Sequence, residues 1–184
     1  MDRRRFLFLT SVGVAAVSLP TLRAAATDGI PAVPILAEGA GLTGPQWRTL
    51  AAVQDHLFPT EAGAPGAREI NAALYLKFVL SDPRLDPADG AMIRRGVDRV
   101  DRIALELQGA GFPTLSVADR EAVLRRMEQT EGGEQWLHAI LDYILEALLT
   151  DPVYGGNPGA IGWKWLDHWQ AAPHPPPEKR YFLL

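Results

Sequence analysis

Apolar residues recur at helical spacing along most of the chain, and no segment alternates between apolar and polar residues over a useful length. The clearest case is segment 136–149, where apolar residues cover much of the circumference of a helix. They are Leu137, Ile140, Leu141, Ile144, Leu145, Leu148 and Leu149. So wide an apolar surface predicts a helix in the middle of a bundle. A chain of 184 residues suggests one domain, so we expect an all-α, single-domain bundle of about five helices.

The first two helices are bounded by residues that start or stop helices. Thr43 is a favourable N-cap, Pro45 is tolerated in the first turn, and Pro59 ends the first helix. A turn-rich connection follows over 60–66, and the second helix is predicted over 67–80. Its expected buried residues are Ile70, Leu74 and Phe78.

A longer helix is predicted to begin at Asp86 or Asp89 and to end near Gln108. Its expected buried stripe is Ile93, Val97, Val100, Ala104 and Leu107. The other face carries charges of alternating sign at i, i+4 spacing, which predicts a solvated face with weak ion pairs. These charges are Arg94, Asp98, Arg102 and Glu106.

A shorter helix is predicted to begin at Ser116, with Asp119 in place of the usual Glu of a capping box. Its expected buried residues are Val117, Val123, Leu124 and Met127.

The segment after the apolar helix has an unusual composition. Pro152 cannot continue the helix, and the run 155–158 predicts a tight turn because Gly and Asn accept positive φ. Four large aromatic residues then occur within sixteen positions: Tyr154, Trp163, Trp165 and Trp169. Leaving them in water is unfavourable, so they either staple this loop to its own helices or contact a partner.

The N-terminus resembles a bacterial twin-arginine export signal, predicted over 1–26. Arg3 and Arg4 form the arginine pair, and Phe6 and Leu7 begin an apolar run that extends to residue 19. Small residues at 24–26 predict cleavage after Ala26. An ordinary Sec signal with three arginines is the alternative.

The charge and the composition exclude several classes of partner and site. The chain has 18 Lys and Arg against 22 Asp and Glu, and the predicted leader takes four of the former and one of the latter. The remainder, 14 against 21, has a net charge of −7, which disfavours nucleic acid and anionic lipid as partners. The absence of cysteine excludes disulfides, thiolate metal sites and covalent haem attachment in this chain.

Motifs for catalysis are scarce. The sequence has no glycine-rich fingerprint for flavin or nicotinamide, no Gly-x-Ser-x-Gly and no HExxH. Glu134, His138 and Asp142 at i, i+4 and i+8 form the best metal-like cluster, although a solvated helix face explains them as well. We therefore expect no catalytic, cofactor-binding or metal-binding residues in this chain.

The two remaining segments are predicted to be extended. Residues 27–41 are rich in Ala, Gly and Pro and read as a linker or surface strap, ahead of a helical domain over 42–170. Residues 171–184 form a Pro-rich tail that ends in Tyr181-Phe182-Leu183-Leu184. An apolar segment of that kind is either tucked down or laid against another protein.

Several motifs resemble the gluconate 2-dehydrogenase subunit 3 family, the small or gamma subunit. They are Leu57-Phe58-Pro59-Thr60, Gly63-Ala64-Pro65-Gly66-Ala67, Asp151-Pro152-Val153-Tyr154-Gly155-Gly156-Asn157 and Gly162-Trp163. The resemblance covers roughly 42–169, and the motif that begins at Asp151 is the most specific part.

The resemblance implies a non-catalytic subunit of a periplasmic dehydrogenase complex, peripheral to the inner membrane. The large subunit would be an FAD-containing flavoprotein that oxidises a sugar or sugar acid, and a multihaem cytochrome c subunit would carry electrons onward. The small subunit would assist export of the large subunit by the twin-arginine translocase, and it would also stabilise the large subunit. Candidate partner contacts are Asp151, Pro152, Tyr154, Gly155, Gly156, Asn157, Trp163 and Trp165.

Two other readings remain open from the residues. A stand-alone periplasmic binding protein would use Tyr154, Trp163 and Trp165 to line a pocket for a sugar or other small ligand. A small metalloenzyme would use the cluster at Glu134, His138 and Asp142.

Overall fold

The computed structural model describes residues 39–168, and they form an all-α bundle. Its helices are α1 (Gly44–Leu57), α2 (Ala72–Leu80), α3 (Pro87–Gln108), α4 (Val117–Glu128), α5 (Gly133–Leu149) and α6 (Ile161–Trp165). Short 3₁₀ turns occur at Phe112–Thr114, Pro152–Tyr154 and Pro158–Ala160. Two isolated β-bridges, Gly39 with Leu42 and Glu61 with Ala64, are the only β pairing in this range. The predicted fold class is confirmed.

None of the helices within 39–168 is long and apolar enough to cross a membrane. The predicted leader, most of the linker and the Pro-rich tail lie outside the described residues.

Three helices begin at the caps that the sequence predicts. The Thr43 hydroxyl accepts from the Gln46 backbone N–H, and the Gln46 side chain accepts from the Thr43 N–H at 2.8 Å, which completes a capping box. Asp86 accepts from the Ala88 N–H at 2.8 Å, and Ser116 caps α4. Each side chain pairs a backbone donor that would otherwise lack a partner at the helix start.

The predicted start of the second helix is wrong. Residues 67–71 form turns, and Asn71 takes a left-handed conformation (φ 56°) before α2 begins at Ala72. Ile70 is fully buried as expected, but Leu74 and Phe78 are only half-buried. The buried stripe of α2 passes through Leu76, and residues two positions away lie about 200° around the helix axis.

α5 packs against all five other helices, as predicted for the central helix. Its buried side consists of Trp136, Ile140, Ile144, Ala147 and Leu148. The other helices do not cover the whole apolar surface of α5, however. Leu137, Leu141 and Leu145 are half-buried, and Leu149 is 53% exposed. A strip of apolar side chains therefore runs along the outer side of α5.

A large side chain of α5 packs on the backbone of α3. The Trp136 indole N–H donates to the Ile93 carbonyl at 3.1 Å, and the ring lies against the backbone at Gly96. Both Trp136 and Ile93 are buried, so the polar atom of the largest core side chain on α5 is paired.

Two residues expected in the core are exposed. Leu107 is 49% exposed and Val117 is 74% exposed. Each follows the direction of a buried stripe, because Leu107 is seven residues after Val100 and Val117 is seven before Leu124. Both lie one or two turns beyond the part of the helix that its neighbours cover, so the stripes extend past the end of the core.

The charged face of α3 is solvated as predicted. The ion pairs predicted along that face are absent from residues 39–168. The described ion pairs join His56 with Glu121, Arg68 with Asp55, and Arg125 with Glu121. Asp98 instead accepts from the Gln46 side chain of α1 at 2.6 Å. A neighbouring helix supplied a partner that the spacing within α3 did not reveal.

Candidate functional site

The motif turn, residues 151–157, is shaped by its own side chains. The Asp151 carboxylate accepts from the Val153 N–H at 3.0 Å and starts the 3₁₀ turn at Pro152–Tyr154. Gly155 (φ 93°) and Asn157 (φ 49°) then take left-handed conformations. The tight turn that the sequence predicts is present.

Asn157 ties three parts of the bundle together. Its side-chain N–H donates to the Thr150 carbonyl at 3.0 Å, and its side-chain oxygen accepts from the Gly162 N–H at 2.7 Å. Its backbone N–H donates to the Ile70 carbonyl at 2.9 Å. The residue is completely buried, so these bonds are made without competition from water. The sequence identified Asn157 as a turn residue and a candidate partner contact, and gave no sign of these buried bonds.

Two glycines of the motif allow α6 to lie against the end of α5. A Cβ on Gly162 would lie 2.2 Å from the Leu148 carbonyl oxygen, and one on Gly156 would lie 2.8 Å from that of Ala147. Both distances are closer than real Cβ contacts. The glycines therefore permit a backbone approach that a side chain would prevent.

The two tryptophans of α6 are directed inward. Trp163 is 8% exposed and its indole N–H donates to the Leu149 carbonyl at 2.8 Å. Trp165 is 7% exposed and meets the ring of Phe58 edge to face at 6.5 Å. This arrangement matches the staple interpretation of the aromatic residues. Trp169 lies outside the described residues.

A second aromatic group stays half-exposed at the surface. The ring centroids of Tyr154 and Phe78 are 6.0 Å apart, and those of Phe78 and Tyr75 are 6.4 Å apart. The Tyr75 hydroxyl donates to Glu146 of α5 at 3.1 Å. Of the predicted partner contacts, Asp151, Pro152, Tyr154 and Gly155 are partly accessible, whereas the others are buried.

An open groove of about 580 Å³ runs beside these aromatic residues, between α2 and the outer side of α5. Its lining residues are Tyr75, Asp142, Leu145, Glu146, Leu149 and Thr150. Burial, followed by the charges of three nearby carboxylates, raises the pKa of the adjacent Tyr143 phenol. Those carboxylates belong to Asp89, Glu146 and Asp142. The outer side of α5 is therefore both apolar and acidic.

The earlier motif residues form a separate structural loop. The Thr60 hydroxyl and the Gly66 N–H both donate to the Glu69 carboxylate, at 2.7 and 2.9 Å. Burial alone would raise the pKa of Glu69, but the bonds from Thr60 and the backbone, with a nearby arginine charge, hold it below its usual value. Phe58 of the same loop is buried. The loop thus needs an ionised carboxylate.

Two pairs of groups resemble acid–base sites. His56 lies 2.9 Å from Glu121, and hydrogen bonding to His56 lowers the pKa of that carboxyl. Burial raises the pKa of Asp101, although Thr49 donates to it at 2.8 Å. Both pairs join residues more than fifty positions apart, so no sequence spacing could have revealed them. Each pair links two helices of the bundle.

The predicted metal-like cluster is a solvated face. Glu134, His138 and Asp142 are all exposed on α5. Within residues 39–168, no group of three or more His, Cys, Asp or Glu side chains is arranged to hold a metal ion.

Three exposed apolar residues flank the connection from α3 to α4, and we call the pair Leu107 and Val117 the apolar corner. Leu105, Leu107 and Val117 are 58%, 49% and 74% exposed. They are three of the four exposed large hydrophobic residues in the described range, and Leu149 in the groove is the fourth. Leu105 and Leu107 lie about 200° apart around α3, so they face different directions. Leu107 and Val117, which both continue buried stripes, are the two that can form a contact surface.

The signal residues Arg3, Arg4, Phe6 and Leu7 lie outside the described range.

Comparison with known proteins gives one family. A family model described as gluconate 2-dehydrogenase subunit 3 matches residues 45–168, about two thirds of the chain. No curated protein and no solved structure matches the chain. The matched range begins in α1 and ends just beyond α6, so it includes the motif turn and both glycine-dependent contacts. The chain therefore belongs to the gluconate 2-dehydrogenase subunit 3 family.

Proposed function

We propose that this chain is the non-catalytic small subunit of a periplasmic, membrane-associated flavoprotein dehydrogenase that oxidises a sugar or sugar acid. Its partners are an FAD-containing large subunit and a multihaem cytochrome c subunit. The small subunit accompanies the large subunit through the twin-arginine translocase and stabilises it. Membership of the subunit 3 family is the observation that carries this proposal.

The apolar corner is the surface that we assign to the large subunit. Leu107 and Val117 continue buried stripes beyond the covered core, so they present apolar surface in fixed positions on two helices. Burying them against a partner would recover the free energy lost by leaving them in water. The motif turn then serves the fold, because Asn157 and the tryptophans hold α6 and the end of α5 together.

The first experiment is an affinity pull-down of the chain, tagged after Leu184 and expressed from its native operon, with an absorption spectrum of the eluate. We expect flavin and c-type haem bands and two larger polypeptides. A colourless eluate that holds this chain alone would contradict the subunit role.

The corner is tested by Leu107→Ser combined with Val117→Ser. We expect the large subunit to be lost from the eluate while the melting temperature of the small subunit stays within a few degrees, because both side chains are exposed. Leu149→Ser is the matched control, since it removes an equally exposed leucine from a different surface. Retention of the large subunit by the double variant would exclude the corner as the contact.

Export is tested by Arg3→Lys combined with Arg4→Lys. We expect both this chain and the dehydrogenase activity to stay in the cytoplasm, because the paired arginines are what the translocase recognises in this type of signal. Arg5→Lys changes the neighbouring arginine and should export normally. Full periplasmic activity in the double variant would contradict the export role.

The alternative is a stand-alone periplasmic protein with an aromatic pocket for a sugar or other small ligand. It needs Tyr154, Trp163 and Trp165 around one cavity, yet both tryptophans are buried and bound within the bundle. The geometry thus favours the subunit proposal over this alternative.

A further inference from the structure

The groove between α2 and α5 has the properties of a binding site for an extended apolar segment. Leu145 and Leu149 are one helical turn apart on its floor, and Leu149 remains 53% exposed. Tyr75 forms the α2 side. The groove is open to solvent rather than closed around a small ligand, which suits a peptide chain.

The rim of the groove is acidic. Asp142 and Glu146 are exposed and lie one turn apart on α5, beside the apolar floor. Among residues 39–168, no Lys, Arg or His lines the groove. A segment that fits it should therefore carry cationic residues directly next to bulky apolar ones.

The chain itself contains such a segment. Lys179 and Arg180 immediately precede Tyr181-Phe182-Leu183-Leu184, and the proposed subunit role does not use these residues. Two cations match the two rim carboxylates in number, and four apolar side chains match the apolar floor. Four prolines within 173–177 come before this segment and favour an extended approach.

The described part of the chain ends close to the groove. α6 is fastened to the end of α5 by the bond from the Trp163 indole to the Leu149 carbonyl, and Leu149 also lines the groove. Residue 168 follows α6 directly. Thirteen residues from there to Tyr181 span up to ~43 Å when extended. That exceeds the length of α5, which is ~25 Å for 17 residues.

We propose that residues 179–184 dock in the groove between α2 and α5 of the same chain, with Lys179 and Arg180 at the carboxylates of Asp142 and Glu146. The docked segment covers Leu145 and Leu149 and leaves the apolar corner as the surface open to the large subunit. The inference does not depend on the proposed function, because it concerns two parts of one chain.

The absence of native cysteine makes a direct test possible. The full chain, expressed with its partner subunits, carries Leu149→Cys together with Phe182→Cys and is oxidised before denaturation. We expect an intrachain disulfide, seen as faster migration without reductant and confirmed by mass spectrometry. The control pair is Glu128→Cys with Phe182→Cys, because Glu128 is exposed and lies near the opposite end of α5. It should cross-link poorly although the segment can reach it.

Other occupants give other products, and each would overturn the proposal. A disulfide between two copies would place the segment on a second molecule. No disulfide, or equal yields for the two pairs, would show that residues 179–184 do not dock in the groove. With Leu149→Cys alone, cross-linking to a lysine of the large subunit by a maleimide–NHS ester reagent would assign the groove to that subunit.

A charge exchange tests the recognition separately from the cysteine chemistry. Lys179→Glu with Arg180→Glu should lower the yield of the intrachain disulfide about fivefold, as expected for losing two exposed charge pairs. Adding Asp142→Lys and Glu146→Lys should restore most of the yield. If the variant with all four substitutions does not recover the disulfide yield, the rim carboxylates do not recognise this segment.

Discussion

The side-chain oxygen of Asn157 accepts a hydrogen bond from the Gly162 N–H at 2.7 Å, inside a completely buried turn. The same amide donates to the Thr150 carbonyl, so one side chain joins the end of α5 to the start of α6. Because water does not reach this position, loss of the amide leaves two backbone groups unpaired.

Asn157→Ala should therefore lower the free energy of unfolding by about 2–4 kcal/mol, from the unpaired groups and from the left-handed conformation that alanine tolerates poorly. Asn157→Gly removes the same bonds but accepts φ 49° without strain, so it should cost less. Urea unfolding followed by tryptophan fluorescence measures both. Equal stability of Asn157→Ala and the native chain would show that the turn does not hold α6.

Gly96→Ala should disrupt the packing of α3 on α5. A Cβ at this position would lie 2.0 Å from the Trp136 indole nitrogen, so the ring must move and its bond to the Ile93 carbonyl must break. We expect a loss of about 2–3 kcal/mol or more.

Gly90→Ala is the matched control on the same helix. The nearest atom to its Cβ would be the flexible end of Arg94 at 3.3 Å, which can move aside. The better helix propensity of alanine should then leave the stability unchanged or raised by up to about 1 kcal/mol. Thermal unfolding by circular dichroism compares the two variants, and a similar loss in both would contradict this account.

Gln54→Leu should stabilise the protein. Gln54 is 1% exposed, and neither its amide oxygen nor its nitrogen has a hydrogen-bond partner among the described residues. Replacing an unpaired buried amide with an apolar side chain of similar size should gain about 1–2 kcal/mol.

Thr49→Val is the matched contrast on α1. Thr49 is equally buried, but its hydroxyl donates to Asp101, so its removal should destabilise by about 1 kcal/mol. Opposite signs of the two changes in melting temperature are expected. A fall in melting temperature for Gln54→Leu would show that its amide is needed.

Glu69→Gln should make stability less dependent on pH. The pKa of the Glu69 carboxyl is lowered from its usual value of 4.5, so the ionised group stabilises the fold above that value. This contribution is lost as the pH falls through the lower folded-state pKa. The variant should be less stable than the native chain at pH 7 and should approach it at about pH 3.

Urea unfolding at pH 7, 5 and 3 measures that difference. Thr60→Val removes the hydroxyl that donates to the same carboxylate, so it should also weaken the dependence of stability on pH. The difference in free energy of unfolding between Glu69→Gln and the native chain could instead stay constant with pH. That result would mean that the bonds to Thr60 and Gly66 do not depend on ionisation of Glu69.

Local sequence signals located most helix boundaries. Thr43, Asp86 and Ser116 cap the helices they were expected to cap, because a capping bond joins residues only two or three positions apart. The start of α2 was missed because residues 67–71 suit a helix locally. The Asn157 N–H bonds to the Ile70 carbonyl, 87 positions away, and Asn71 turns the chain there instead.

The sequence by itself determined the all-α class, the caps, the breaks and the family, because periodicity and turn chemistry act over a few residues. Only the tertiary structure decided which apolar residues are covered. Leu107, Val117 and Leu149 fit the buried pattern of their helices, yet they are exposed, because the neighbouring elements stop short of them. Periodicity gives the direction of a side chain, whereas burial depends on how far the packed neighbour extends, and that length is fixed only when the helices meet.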